Sequence, residues 1–154
     1  MPERPADVTS LLAVYGTLRR GYRNHPLIER GSRFVGLAHL PGRLVHISSP
    51  LRRYSYPGYL PDTPGTSLRV LVEVVEVTDG SLWTGLDALE RYLPDDPGSS
   101  EYRRVLATAS MTDGRALTCW TYRYNSSVAG YQDVPDGDWT SLRPASAEPD
   151  VTGP

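Results

Sequence analysis

Glu90 is the residue whose type and position most invite chemistry. It closes a segment from Ser81 to Tyr92 whose apolar residues Leu82, Trp83, Leu86 and Leu89 recur at the spacing of one helix face. At about 100° per residue, with Leu86 as zero, Glu90 projects at about +40°, between Leu86 and Trp83 at about +60°. A carboxylate on a buried face has to be satisfied or neutralised, and the last helical turn sets it beside the negative end of the helix dipole. Both effects are expected to raise its pKa toward the range useful for proton transfer. The competing reading turns Glu90 outward at a frayed helix end, or pairs it with Arg103 or Arg104. Asp87 and Arg91 fall on the solvent side of the same helix and are expected to pair as i and i+4.

The second candidate is Val14-Tyr15-Gly16-Thr17-Leu18. A strand that ends at a glycine leaves successive backbone N–H groups free to converge on an anion. Gly16 removes a side chain that would block close approach and admits dihedral angles that other residues resist. The plainer reading is a strand-terminating turn with Tyr15 in the core. Gly16-x4-Gly21 resembles a phosphate loop in outline only, because Tyr22-Arg23 stands where that motif needs Lys and then Ser or Thr.

Other chemistries lack their residues. No Gly-x-Ser-x-Gly elbow is present. Cys119 is the single cysteine, sits in a probable strand without an evident histidine partner, and reads as core. His25, His39 and His46 have no metal-motif spacing to a carboxylate, so neither a metal site nor a cofactor is expected.

The elements that must position these groups are mostly strands. Leu11 to Tyr15 is a short apolar run stopped by Gly16. Pro41-Gly42 predicts a turn between two strands within Phe34 to Ile47. Leu68 to Val77 changes the phase of its apolar residues midway, which predicts a bulge or sharp bend. Tyr102 to Met111 and Ala116 to Tyr124 flank Asp113-Gly114, a strong hairpin signal. Tyr122 and Tyr124 alternate with Thr121 and Arg123 and so share one sheet face. Asp79 or Ser81 can cap the Ser81 to Tyr92 helix, and Pro94 stops it near Tyr92. A weaker helix is expected from His25 to Arg30. The sum is an α+β domain around a curved or barrel-like sheet with few helices. It spans residues 10–143, between flexible tails at 1–9 and 144–154 that are rich in Pro, Ala, Ser, Asp and Glu.

The 154 residues suit one domain. No apolar run approaches the ~20 residues that span a bilayer, and no basic-then-apolar leader opens the chain, so a cytoplasmic protein without membrane partners is expected. The net charge of −2 conceals an asymmetry: nine arginines face three acids up to Arg53, and seven face fifteen from Tyr54 onward. The basic half is scattered among turns rather than set along a helix, which argues against nucleic acid and for a small anionic ligand or a solvated face.

Together, three blocks resemble the γ-glutamylcyclotransferase-like family, in particular its γ-glutamylamine cyclotransferase (AIG2-like) branch. They are Val14-Tyr15-Gly16-Thr17-Leu18-Arg19-Arg20-Gly21 with Asn24-His25, then Leu86-Asp87-Ala88-Leu89-Glu90, then Tyr102-Arg103-Arg104-Val105 with Cys119-Trp120-Thr121-Tyr122. The resemblance implies a small mixed β-barrel. It implies that the loop of Tyr15, Gly16, Thr17 and Leu18 binds a substrate α-carboxylate through backbone amides, that Glu90 is catalytic, and that Tyr122 lines the pocket. The implied reaction is attack of a γ-glutamyl amide's α-amine on its own γ-carbonyl, releasing 5-oxoproline and a free amine without metal or cofactor. Departures occur at Val72 and Arg91, where relatives often carry glycine, at Val75, where many have tyrosine, and in the segment Tyr54 to Gly65 over the site. Two alternatives remain beside that reading: removal of a γ-glutamyl protecting group in a biosynthetic pathway, and a non-catalytic member that binds a small metabolite or a protein.

Overall fold

The computed structural model describes residues 8–22, 24–47, 56–61, 68–93, 95–125, 132–134 and 136–139. Of the tails expected at 1–9 and 144–154, residues 1–7 and 144–154 lie outside the described residues, while at the described end of the first the Thr9 hydroxyl donates to Thr118 O at 3.1 Å. Among the described residues, seven strands form one sheet: β1 (Leu11–Val14), β2 (Ser32–Ile47), β3 (Tyr56–Pro61), β4 (Arg69–Val77), β5 (Tyr102–Met111), β6 (Ala116–Tyr124) and β7 (Gln132–Asp133). The order β1-β4-β2-β3-β6 returns to β1, so five strands close a barrel. β5 pairs with β6 and touches β2, while β7 pairs with β2. Most pairs are antiparallel; β1 and β3 each meet β6 in parallel, through Leu12 opposite Trp120 and Tyr59 opposite Arg123. The sheet is therefore mixed, and with the short α-helices α1 (Pro26–Glu29) and α2 (Leu82–Leu89) among the described residues, the domain is α+β.

The valine-rich β4 explains where the core sits. Val70, Val72 and Val74 pack with Ala13, Leu40, Leu44, Tyr59 and Trp139 in one cluster. Val75 and Val77 point the other way and pack with Leu12, Val14, Ile28, Trp83 and Leu86 beneath α2. The change of phase thus reflects a strand buried on both faces. The expected bulge lies on the partner strand: Val35 is the extra residue between Phe34, opposite Val75, and Gly36, opposite Val74.

Pro41-Gly42 does not reverse the chain. β2 runs through it, leaving β4 at Pro41 and taking up β3 at Gly42. Gly42 holds φ at 141°, and a Cβ there would strike the Leu60 carbonyl, so glycine lets a single strand bend from one neighbour to the next. The Asp113-Gly114 hairpin forms where expected, with Gly114 at φ 95° and the Arg115 N–H donating to Asp113 Oδ1 at 3.0 Å.

Helix α2 is shorter than its periodicity suggests. Ser81 is the N-cap residue without a side-chain cap bond, and its own N–H and hydroxyl donate to Asp79 Oδ1. At the other end Arg91 takes φ 53°, the Arg91 N–H donates to Ala88 O, and the Tyr92 N–H donates to Asp87 O. These paired bonds are a Schellman closure. The helix therefore stops at Leu89, three residues before the predicted end, and Glu90 becomes the C-cap residue instead of part of the last turn.

Candidate active site

The turn after β1 is built by its own neighbours. The Arg19 N–H donates to Gly16 O, the Asn24 N–H to Thr17 O, and Asn24 Nδ2 to Thr17 Oγ1 at 2.8 Å. His25 Nδ1 meets Leu18 O at 2.9 Å. The internal bonds use carbonyls of the turn and begin at the Arg19 N–H; among the described residues those of Thr17 and Leu18 have no acceptor. Below the turn, Glu73 of β4 is a buried carboxylate that accepts from the Arg20 N–H at 3.0 Å and from Arg19 Nε at 3.4 Å. Arg19 also reaches Asp138 at 3.1 Å, and Arg20 stacks on Phe34. A charge desolvated like that of Glu73 is tolerable only with such pairing, and its removal would release the turn.

Of the two reasons expected for Gly16, close approach holds and an unusual dihedral does not. Its φ is not positive; a Cβ at this position would collide with the Pro57 ring of β3. What approaches is β3, packed against the turn, rather than an anion.

One pocket is lined by Ala13 to Leu18, Asn24, Pro57, Leu89, Glu90, Glu101, Tyr102 and Tyr122. The turn and Glu90, far apart in the sequence, thus face a common space. Tyr15 is itself core: its hydroxyl donates to Tyr122 O at 2.7 Å and accepts from the Tyr59 N–H at 3.3 Å. Burial first, and then the charge of Glu90, hold the Tyr15 phenol well above its ordinary pKa. Leu18 is buried beside Ile28 and Val14. Tyr122 shares its cluster with Tyr124, as their alternation predicts, and its hydroxyl donates to Asp87 Oδ1 at 2.6 Å. Burial, and next the charge of Asp87, push that phenol far up, so it stays protonated.

Asp87 corrects another expectation. It faces the sheet, where it is paired with Arg104; Arg91 lies near Glu101 instead, at 3.7 Å. The helix arithmetic placed Asp87 toward water because it could not see β5 arriving over that face. Cys119 is fully buried, and burial pushes its thiol up to about 11, so it carries little thiolate near neutrality. Among the described residues, no group of three or more His, Cys, Asp or Glu is placed to hold a metal ion, and no helix is long and apolar enough to cross a membrane.

Several residues at or behind the pocket were not singled out as site residues from the sequence. Glu73 had a signal, a lone carboxylate in the apolar run Leu71 to Val75. Asn24 stood only within the family block. Tyr102 likewise stood only within a family block, and Pro57 and Glu101 had no signal, because β3 and the start of β5 reach the pocket through long-range pairing; the Tyr102 hydroxyl donates to Pro57 O at 2.7 Å. The segment Tyr54 to Gly65 contributes strand β3 and places Pro57 in the pocket wall; 54–55 and 62–65 lie outside the described residues.

The barrel defines the class by shape. An AIG2-like protein from Mus musculus superposes with a TM-score of 0.67 at 20% identity, covering 93% of this chain and 96% of that one. An uncharacterized protein from Pyrococcus horikoshii gives 0.59 at 22%, covering 87% and 92%. Sequence carries the assignment further: residues 12–141 match the model of the gamma-glutamyl cyclotransferase, AIG2-like family, and the chain belongs to it. It is 30% identical to gamma-L-glutamyl-butirosin B gamma-glutamyl cyclotransferase of Niallia circulans, over 86% of this chain and 76% of that protein. It is also 30% identical to a putative gamma-glutamylcyclotransferase of Drosophila melanogaster, over 90% and 92%.

Proposed function

We propose that the protein is a γ-glutamylamine-type cyclotransferase, in which Glu90 is the general acid/base and the Gly16 to Leu18 turn holds the glutamyl α-carboxylate. The observation that carries this reading is the shared pocket: Glu90 lines it together with the turn whose Thr17 and Leu18 N–H groups have no acceptor among the described residues. Donors on one wall and a carboxylate on another match the two charged groups of an α-amino acid head.

Glu90 takes a proton from the α-ammonium. The freed amine attacks the γ-carbonyl of the same molecule and closes a five-membered lactam. As the C–N bond to the amine half breaks, Glu90 returns its proton to the departing nitrogen, and the surplus proton of the ring nitrogen passes the same way, so the amine leaves as an ammonium and the lactam is neutral. The products are 5-oxoproline and a free amine, and no covalent enzyme intermediate forms. Because nucleophile and carbonyl belong to one substrate, holding them in a near-attack geometry supplies much of the rate, with effective molarities of ~10⁵ M or more for well-oriented pairs.

The likeness to the Niallia circulans protein favours a second reading with the same chemistry, in which the γ-glutamyl group is a protecting group removed during biosynthesis. A panel of γ-glutamyl amines, dipeptides and γ-glutamylated biosynthetic intermediates, followed by 5-oxoproline release, separates the two by the amine accepted. An α-N-acetylated version of any active substrate is expected to be inert, since its nitrogen no longer attacks. Turnover of the acetylated substrate would contradict the intramolecular route.

A further inference from the structure

Arg104 of β5 and Tyr122 of β6 are directly opposite each other in the antiparallel pair, so both side chains rise from the same sheet face. Helix α2 lies over that face and lowers Asp87 between them. Arg104 Nη1 donates to Asp87 Oδ1 at 2.6 Å and also to Oδ2, while the Tyr122 hydroxyl donates to Oδ1 at 2.6 Å. The guanidinium carbon lies 5.1 Å from the Tyr92 ring centroid, 5.3 Å from that of Trp120 and 5.9 Å from that of Trp83. Three aromatic rings thus pack around a part-buried ion pair and limit its contact with water.

This arrangement settles the direction of one hydrogen bond inside the pocket. A phenol has one proton and accepts through its remaining lone pairs, whereas an ionised carboxylate only accepts. With both Asp87 oxygens accepting from Arg104 Nη1, the Tyr122 proton lies on the line to Asp87. What the Tyr122 oxygen offers to any other group is a lone pair. Tyr122 lines the same pocket as Glu90, and both then present acceptors, facing the N–H donors of the Thr17 and Leu18 turn.

We propose that Asp87, clamped by Arg104, is a positioning residue that turns the Tyr122 hydroxyl into a pure acceptor for an N–H of the substrate's α-ammonium. This rests on the cyclotransferase reading and adds to it how the amine is recognised and aimed. Asp87 does not touch substrate; it acts through the Tyr122 hydroxyl.

The test uses the full chain with Tyr122→Phe, Asp87→Asn and the double variant, assayed for 5-oxoproline release. Each single change is expected to lower kcat/KM about tenfold, the scale of one hydrogen bond to a charged group. The double variant is expected to be no worse than Tyr122→Phe, because Asp87→Asn acts through the lost hydroxyl. Effects that multiply would overturn the proposal and leave Asp87 a structural residue. Should Asp87→Asn fail to fold, Tyr122→Phe decides alone through competitive inhibition by L-glutamine and by its analogue lacking the α-amine. Wild type is expected to prefer the amine-bearing inhibitor and Tyr122→Phe to lose about tenfold of that preference; an unchanged preference overturns the assignment. If wild type released no 5-oxoproline from any substrate, the cyclotransferase reading itself would fall, and this assignment with it.

Discussion

Arg91 is the one non-glycine residue among those described that holds a positive φ, at 53°. It occupies the position after the helix C-cap, where glycine is the usual solution because an L side chain there costs ~1–2 kcal/mol. The family resemblance marked the same position as one where relatives often carry glycine, and the Schellman closure supplies the physical reason. Arg91→Gly is therefore expected to stabilise the protein by about 0.5–1 kcal/mol, after allowing for the extra freedom of glycine in the unfolded chain. Its exposed ion pair with Glu101 is worth little against this. Urea denaturation measures the change, and a loss of stability would show that the side chain matters more than the backbone. The place of Glu90 on the pocket wall was signalled in the sequence by one charge inside an apolar arc, which violates local pattern. Asp87 obeyed the local pattern, and its role depends on a strand partner that no helical periodicity encodes.

Elements whose signals are local were read from the sequence with little loss. Asp113-Gly114 joins β5 and β6 because both the turn and its register depend on adjacent residues. Tyr122 and Tyr124 share a face by the two-residue repeat of any strand. Pro41-Gly42 has an equally local signature but a different outcome, since the same glycine that can reverse a chain can also bend one. Its meaning was fixed by β3, which begins 14 residues further on and packs its Leu60 carbonyl where a Cβ would be. Gly42→Ala combines that collision with an unfavourable φ and is expected to cost about 2–4 kcal/mol. A cost under about 1 kcal/mol in urea denaturation would mean that the β2 bend relaxes easily.

At the scale of the molecule, the barrel closes through contacts between distant parts of the chain. Leu12 meets Trp120, and Tyr59 meets Arg123. Nothing in the periodicity of β1 or β3 announces β6 as a neighbour; β1, β4, β5 and β6 were readable, β2 was read as two strands, β3 and β7 were not read, and the closed barrel came from the family resemblance. Closure is also what makes the site. It brings the turn after β1, Pro57 of β3, Tyr122 of β6 and the end of α2 around one pocket, and the buried Glu73 fixes the turn to β4 from beneath. The acidic second half of the sequence supplies both Glu90 and Asp87 to this assembly, while the basic first half supplies the turn and Arg19.

The central claim is that this pocket closes a γ-glutamyl amide on itself with Glu90 moving the proton. The most direct measurement is 5-oxoproline release by wild type and by Glu90→Gln on a substrate that wild type turns over, with thermal unfolding recorded for both. Glu90→Gln keeps the size of the side chain and removes its basicity. The account predicts a loss of kcat of about 10²–10⁴-fold, the usual scale for a positioned acid/base, with little change in melting temperature. Equal rates from the two proteins would contradict it and take Glu90 out of the reaction.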